Sequence, residues 1–129
     1  LSVYTKFCTP SRLRSSGVIP ENKWFLLFVL GRYSVGQTSS PTDLLPFLAA
    51  NDNAYPWAIC AFGPQENACA IAAASLGGHA RVGFENNLFL KSGEEASNNG
   101  ALVAQVRKGA EALGRPLATA HDIRSLFLN

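Results

Sequence analysis

The chain has no methionine among its 129 residues, not even at position 1, where translation places one. That absence predicts a chain cut or trimmed from something longer; the alternative is a short protein that lost only its initiator. Long apolar runs are missing too. The longest, WFLLFVLG from Trp24, falls far short of the roughly 20 residues a membrane helix needs. The first residues lack the charged, apolar, small-residue layout of a signal peptide, so the expectation is a soluble cytoplasmic chain without a membrane partner. Charge of one sign is also scarce: the formal net charge is +2 and the basic residues are scattered, which argues against nucleic acid as a partner. The three cysteines, Cys8, Cys60 and Cys69, are odd in number and show no CxxC spacing, so reduced thiols are expected, with Cys60 packing as a small hydrophobe in an apolar run. GxSxG, GxxxxGK[ST], HExxH and GxGxxG are all absent, and neither histidine has a recognisable partnership with a cysteine.

What is present is ordinary globular composition, 47% hydrophobic and 16% charged, enough for one domain over residues 1–129 with a real core. Three apolar runs read as strands: Trp24–Leu30, Trp57–Phe62 and Ala80–Phe84. Continuous apolar runs bounded by turn residues suit strands covered on both faces, as in parallel sheets. Helix signals follow each run. Ser40-Pro41-Thr42-Asp43 offers a cap, a first-turn proline and an acid for a helix reaching about Ala50, although Pro46 should kink or shorten it. Gln65–Leu76 is alanine-rich and stops at Gly77-Gly78. Asn98–Leu113 puts Leu102, Val103, Val106, Ala110 and Leu113 on one stripe. A short last helix starts at Thr119, with Asp122 three residues on. Before the first strand, PSRLRSSGVIP reads as a helix end turning at Gly17.

The pattern is therefore β-α repeated three times, with parallel strands joined by right-handed crossovers and the helices on one side. A (β/α)8 barrel and a doubly wound sheet both use this unit, and three units are too few to close a barrel.

In GGHARVGFENN, strand alternation places Ala80, Val82 and Phe84 on one face and His79, Arg81, Gly83 and Glu85 on the other. In a barrel the polar set points inward, with Glu85 at the C-terminal mouth where active sites of such folds lie. The bland alternative is a solvated Glu85 and an Arg81 paired with an interior acid. His79, a lone histidine before the strand, reads as structural, and His121 as a surface residue.

These residues carry a resemblance. FVLGRYSVG, PWAICAFGPQENACAIAAASLGGHARVGFENN and ALVAQVRKGAEALGRPLATAHDIRSLF resemble, in order, the C-terminal part of the β-keto acid cleavage enzymes, whose founding activity is 3-keto-5-aminohexanoate cleavage. The resemblance implies a zinc-dependent (β/α)8 TIM barrel, of which this chain holds C-terminal β/α units as a partial barrel. It implies a reaction in which a β-keto acid and acetyl-CoA yield acetoacetate and a new CoA thioester. It places a zinc ligand at Glu85 and a residue handling the reacting groups at Arg81. Many members follow the glutamate with an aspartate that works with the arginine; here Asn86 stands in that catalytic position, and an amide cannot take up a proton at neutral pH. The His-x-His pair that supplies the other zinc ligands has no counterpart in the sequence, so Glu85 alone should hold Zn2+ weakly.

Two other readings compete with a fragment of this enzyme. One is a non-catalytic partial barrel that assembles with the remaining barrel strands, another chain or itself, because its inner face would be exposed. The other is a small doubly wound nucleotide-binding module using the loops after Gly31 and Gly63.

Overall fold

The structure, a computed structural model, describes residues 24–128. The helix end expected around Gly17, and Cys8, lie outside the described residues. Within them, three strands form one parallel sheet in sequence order: β1 (Leu26–Leu30), β2 (Trp57–Ala61) and β3 (His79–Ala80). Four α-helices follow: α1 (Leu45–Asn51), α2 (Glu66–Ser75), α3 (Asn99–Ala112) and α4 (Ala120–Leu128). The chain is thus a small α/β unit with the parallel order that the repeated pattern predicts.

The period-two rule shows directly which face is covered. Leu26, Phe28 and Leu30 from β1 join Trp57, Ile59 and Ala61 from β2 in one core with Leu44, Phe47, Leu48, Cys69 and Ala73. Helices α1 and α2 therefore cover the same face of the sheet, and α3 packs on α2. On the opposite face Leu27 and Val29 are exposed.

Local chemistry sets the helix ends, with some departures from expectation. The segment after Ser40 opens as a 3-10 turn over Pro41–Leu44, and α1 starts only at Leu45. Pro46 thus sits in the first turn, where its missing N–H has no intrahelical partner to lose, and no interior kink arises. The Ser40 amide still donates to Asp43 Oδ2 at 2.8 Å, as the cap signal predicts. Asn98 Oδ1 accepts from the Ala101 amide at the start of α3, and Thr119 and Asp122 cap each other's amides before α4. The stripe on α3 is only partly buried: Leu102 is fully enclosed, whereas Val103 and Leu113 face solvent.

The expected strand Ala80–Phe84 is corrected. Only His79 and Ala80 pair with β2, as partners of Ala58 and Ile59, and the Arg81 amide adds one bond to the Ile59 carbonyl. The cause is Gly83, at φ +149°, a conformation that L side chains rarely adopt. It turns the chain out of the ladder, and its carbonyl takes the amides of both Asn86 and Asn87.

Gly78, just before β3, is fixed by contact. A Cβ there would lie 2.1 Å from Cζ3 of the buried Trp57 ring. Gly78→Ala is expected to cost about 1–3 kcal/mol through overpacking. In a thermal melt of the chain this should read as a fall of roughly 5–15 °C; an unchanged midpoint would mean that Trp57 has room to move.

Candidate functional site

The C-terminal ends of the strands are laced together by backbone hydrogen bonds. The Phe62 amide donates to Leu30 O, the Ser39 amide to Phe62 O, and the Gly63 amide to Asn86 O, all between 2.9 and 3.1 Å. Loops following β1, β2 and β3 thereby form one rim, at the end of a parallel sheet where ligands of such folds bind.

Arg81, Glu85 and Asn86 meet on this rim. Arg81 Nη2 lies 3.3 Å from Glu85 Oε2 and donates to Cys60 Sγ at 3.4 Å. Asn86 Nδ2 donates to the same sulfur at 2.8 Å. The alternation of a strand suggested that Arg81 and Glu85 share a face, and they do come together, but through the turn at Gly83. Cys60 is buried as expected; it is also a hydrogen-bond acceptor for two candidate site residues, which its apolar neighbours in sequence did not signal.

Exposure separates the roles. The Glu85 side chain is 66% exposed, whereas Asn86 is a 7% exposed residue enclosed against β2. Glu85 is thus the accessible carboxylate, and an exposed ion pair of this kind stabilises the fold by no more than about 1 kcal/mol. Arg32, just past β1, adds a second cation at the rim, its guanidinium 5.9 Å from the Phe62 ring centroid.

The largest omission of the sequence reading is Glu66, at the start of α2. It is completely buried, 0% exposed, with Oε1 accepting from the Gly83 amide at 3.1 Å and Oε2 from Asn87 Nδ2 at 3.2 Å. Burial pushes its carboxyl up from the ordinary value, against the opposing pull of the Gly83 and Asn87 bonds. An acid opening an alanine-rich helix reads as a solvated group favoured by the helix dipole, so the sequence carried no signal for this role.

His79 is half-buried, its ring 5.8 Å from Phe25, and desolvation followed by the Arg115 charge lowers its pKa, which favours the neutral ring. His121 is exposed. Among the described residues no three His, Cys, Asp or Glu side chains come together to hold a metal ion. Glu85 offers one carboxylate, and the described residues alone do not make a zinc site. No helix among them is long and apolar enough to cross a membrane.

Comparison with known proteins identifies the chain's family. A family model described as beta-keto acid cleavage enzyme matches residues 6–128. A 3-keto-5-aminohexanoate cleavage enzyme from Acetoanaerobium sticklandii is 34% identical over 100 residues, 78% of this chain and 36% of the relative. Its counterpart from Fusobacterium nucleatum is 35% identical over the same shares. A 3-oxoadipate:acetyl-CoA acetyltransferase from Cupriavidus necator is 39% identical over 71 residues, 55% of this chain and 25% of the relative. The chain spans 36% of the length of the first two relatives. With the motif residues gathered on one rim of a parallel sheet and the family model matching nearly end to end, the chain belongs to the beta-keto acid cleavage enzyme family.

Proposed function

We propose that this chain supplies C-terminal β/α units of a (β/α)8 barrel enzyme that converts a β-keto acid and acetyl-CoA into acetoacetate and a new CoA thioester. The observation carrying this reading is that Arg81 and Asn86 meet on Cys60, with Glu85 paired to Arg81, at the C-terminal ends of parallel strands. The names of the relatives, which include an acetyl-CoA acetyltransferase, support the substrate classes.

In this reading the half-exposed Arg81 guanidinium binds the carboxylate or keto oxygen of the acid, a planar fork suited to paired oxygens. Glu85 is one carboxylate ligand of the Zn2+ that the resemblance implies, and the other ligands lie outside the described residues. Zinc, when bound, supplies Lewis-acid polarisation. The Asn86 amide cannot take up a proton at neutral pH, so it orients a neighbour by hydrogen bonding and leaves the base role to another group.

The test is incubation of a polypeptide of the relatives' full length with acetyl-CoA and a panel of β-keto acids, with CoA thioesters read by mass spectrometry. A new thioester from at least one acid is expected, and none from any acid overturns the reading. The 129-residue chain alone should show no turnover, because one carboxylate cannot fix a metal's geometry. Robust, chelator-sensitive turnover by that chain would sink the proposal that it is a fragment.

A second reading, a non-catalytic domain assembling with other strands or with itself, draws on the exposed Leu27 and Val29 of β1. Light scattering separates the two: stable oligomers of the chain, with no thioester from the full-length polypeptide, favour this second reading.

A further inference from the structure

Glu66 stands apart from the residues that the proposed chemistry uses, yet it reaches the loop that carries two of them. Its two carboxylate oxygens take donors from opposite ends of the segment Gly83–Asn87: the backbone amide of Gly83 and the side-chain amide of Asn87. Asn87 then closes the next turn, with Nδ2 donating to Phe89 O at 2.6 Å and Oδ1 accepting from the Phe89 amide at 3.0 Å. Within the bracket, the amides of Asn86 and Asn87 both return to Gly83 O. Glu85, between these anchors, has its backbone held and its side chain exposed.

We infer that Glu66 is a positioning residue, a buried carboxylate that brackets both ends of the Gly83–Asn87 loop and so sets where Glu85 and Asn86 stand on the rim. That the loop serves catalysis rests on the proposed function; the bracketing itself does not. A single side chain holding both ends removes the loop's freedom to open at either, which is the preorganisation an exposed site residue needs.

Donor and acceptor chemistry supplies a specific test. Glu66→Ala removes both acceptors. Glu66→Gln keeps one but turns an N–H2 group toward a donor at the other end. Amide hydrogen exchange is followed by NMR in the 129-residue chain, with Leu44→Ala, a core truncation away from the loop, as the control for general destabilisation.

Relative to Leu44→Ala, exchange at Gly83, Asn86 and Asn87 should rise on the order of tenfold or more in Glu66→Ala and less in Glu66→Gln. Equal exchange in Glu66→Ala and Leu44→Ala overturns the inference. In the full-length polypeptide, Glu66→Ala should lower kcat about tenfold with a smaller change in KM. An unchanged kcat there overturns the positioning role even if exchange rises. A parent that makes no thioester at all fails the proposed function alone, and the exchange results then decide whether Glu66 positions the loop.

Discussion

Glu85→Gln in the full-length polypeptide should abolish most turnover while leaving the fold almost untouched. The substitution keeps size and one acceptor oxygen but removes the charge that a zinc ligand needs, so metal affinity should fall on the order of 10–100-fold or more. Stability of the metal-free protein should change by less than about 1 kcal/mol, because among the described residues the ion pair lost is the exposed one to Arg81. Elemental analysis, turnover and a melting curve of the metal-stripped sample read all three. If Glu85→Gln holds zinc as fully as the parent, Glu85 is a solvated loop residue and not a ligand. Asn86→Asp is the companion: metal content should stay nearly constant, while a new titrating group beside Arg81 and Cys60 alters the pH profile of the rate.

The second large effect concerns folding and centres on Glu66. Glu66→Ala leaves two donors, the Gly83 amide and Asn87 Nδ2, without their acceptors, at a cost on the order of 3 kcal/mol or more. The pH dependence has a definite sign. Burial raises the folded-state pKa above the unfolded one, so the folded protein binds the Glu66 proton more tightly. This group's contribution is fully present below the ordinary carboxylate range and is lost as pH rises through the raised value. Asp122 runs the other way: hydrogen bonds from Thr119 hold its pKa down, so its contribution is lost as pH falls. The difference in urea stability between parent and Glu66→Gln removes Asp122 and isolates Glu66. That difference should move against the parent as pH rises; a flat difference would mean that Glu66 titrates as an ordinary exposed acid.

The parts legible in the sequence are those with local causes. β1 and β2 are continuous apolar runs whose ends differ from expectation by one or two residues. The caps at Asn98 and Thr119 need only neighbours within three residues; the one at Thr119 forms as the sequence predicts, while Asn98, read as the first helical residue, is the cap of its helix. β3 is shorter than expected because ARVGF alternates like a strand, and nothing local says that the Gly83 amide will leave the ladder for a carboxylate 17 residues away. Arg81, Glu85 and Asn86 stand out through a resemblance, whereas Glu66 and the acceptor role of Cys60 exist only through tertiary contacts. An acid after Gly-Pro-Gln and a thiol between Ile59 and Ala61 look the same in sequence whether or not a loop folds over them.

The lacing of the rim bears on how such a scaffold diversifies. Ser39 to Phe62 and Gly63 to Asn86 are joined main chain to main chain, and these bonds impose no side-chain identity on the positions between them. An exposed rim residue such as Arg32 can therefore be exchanged without unthreading the loop that carries it.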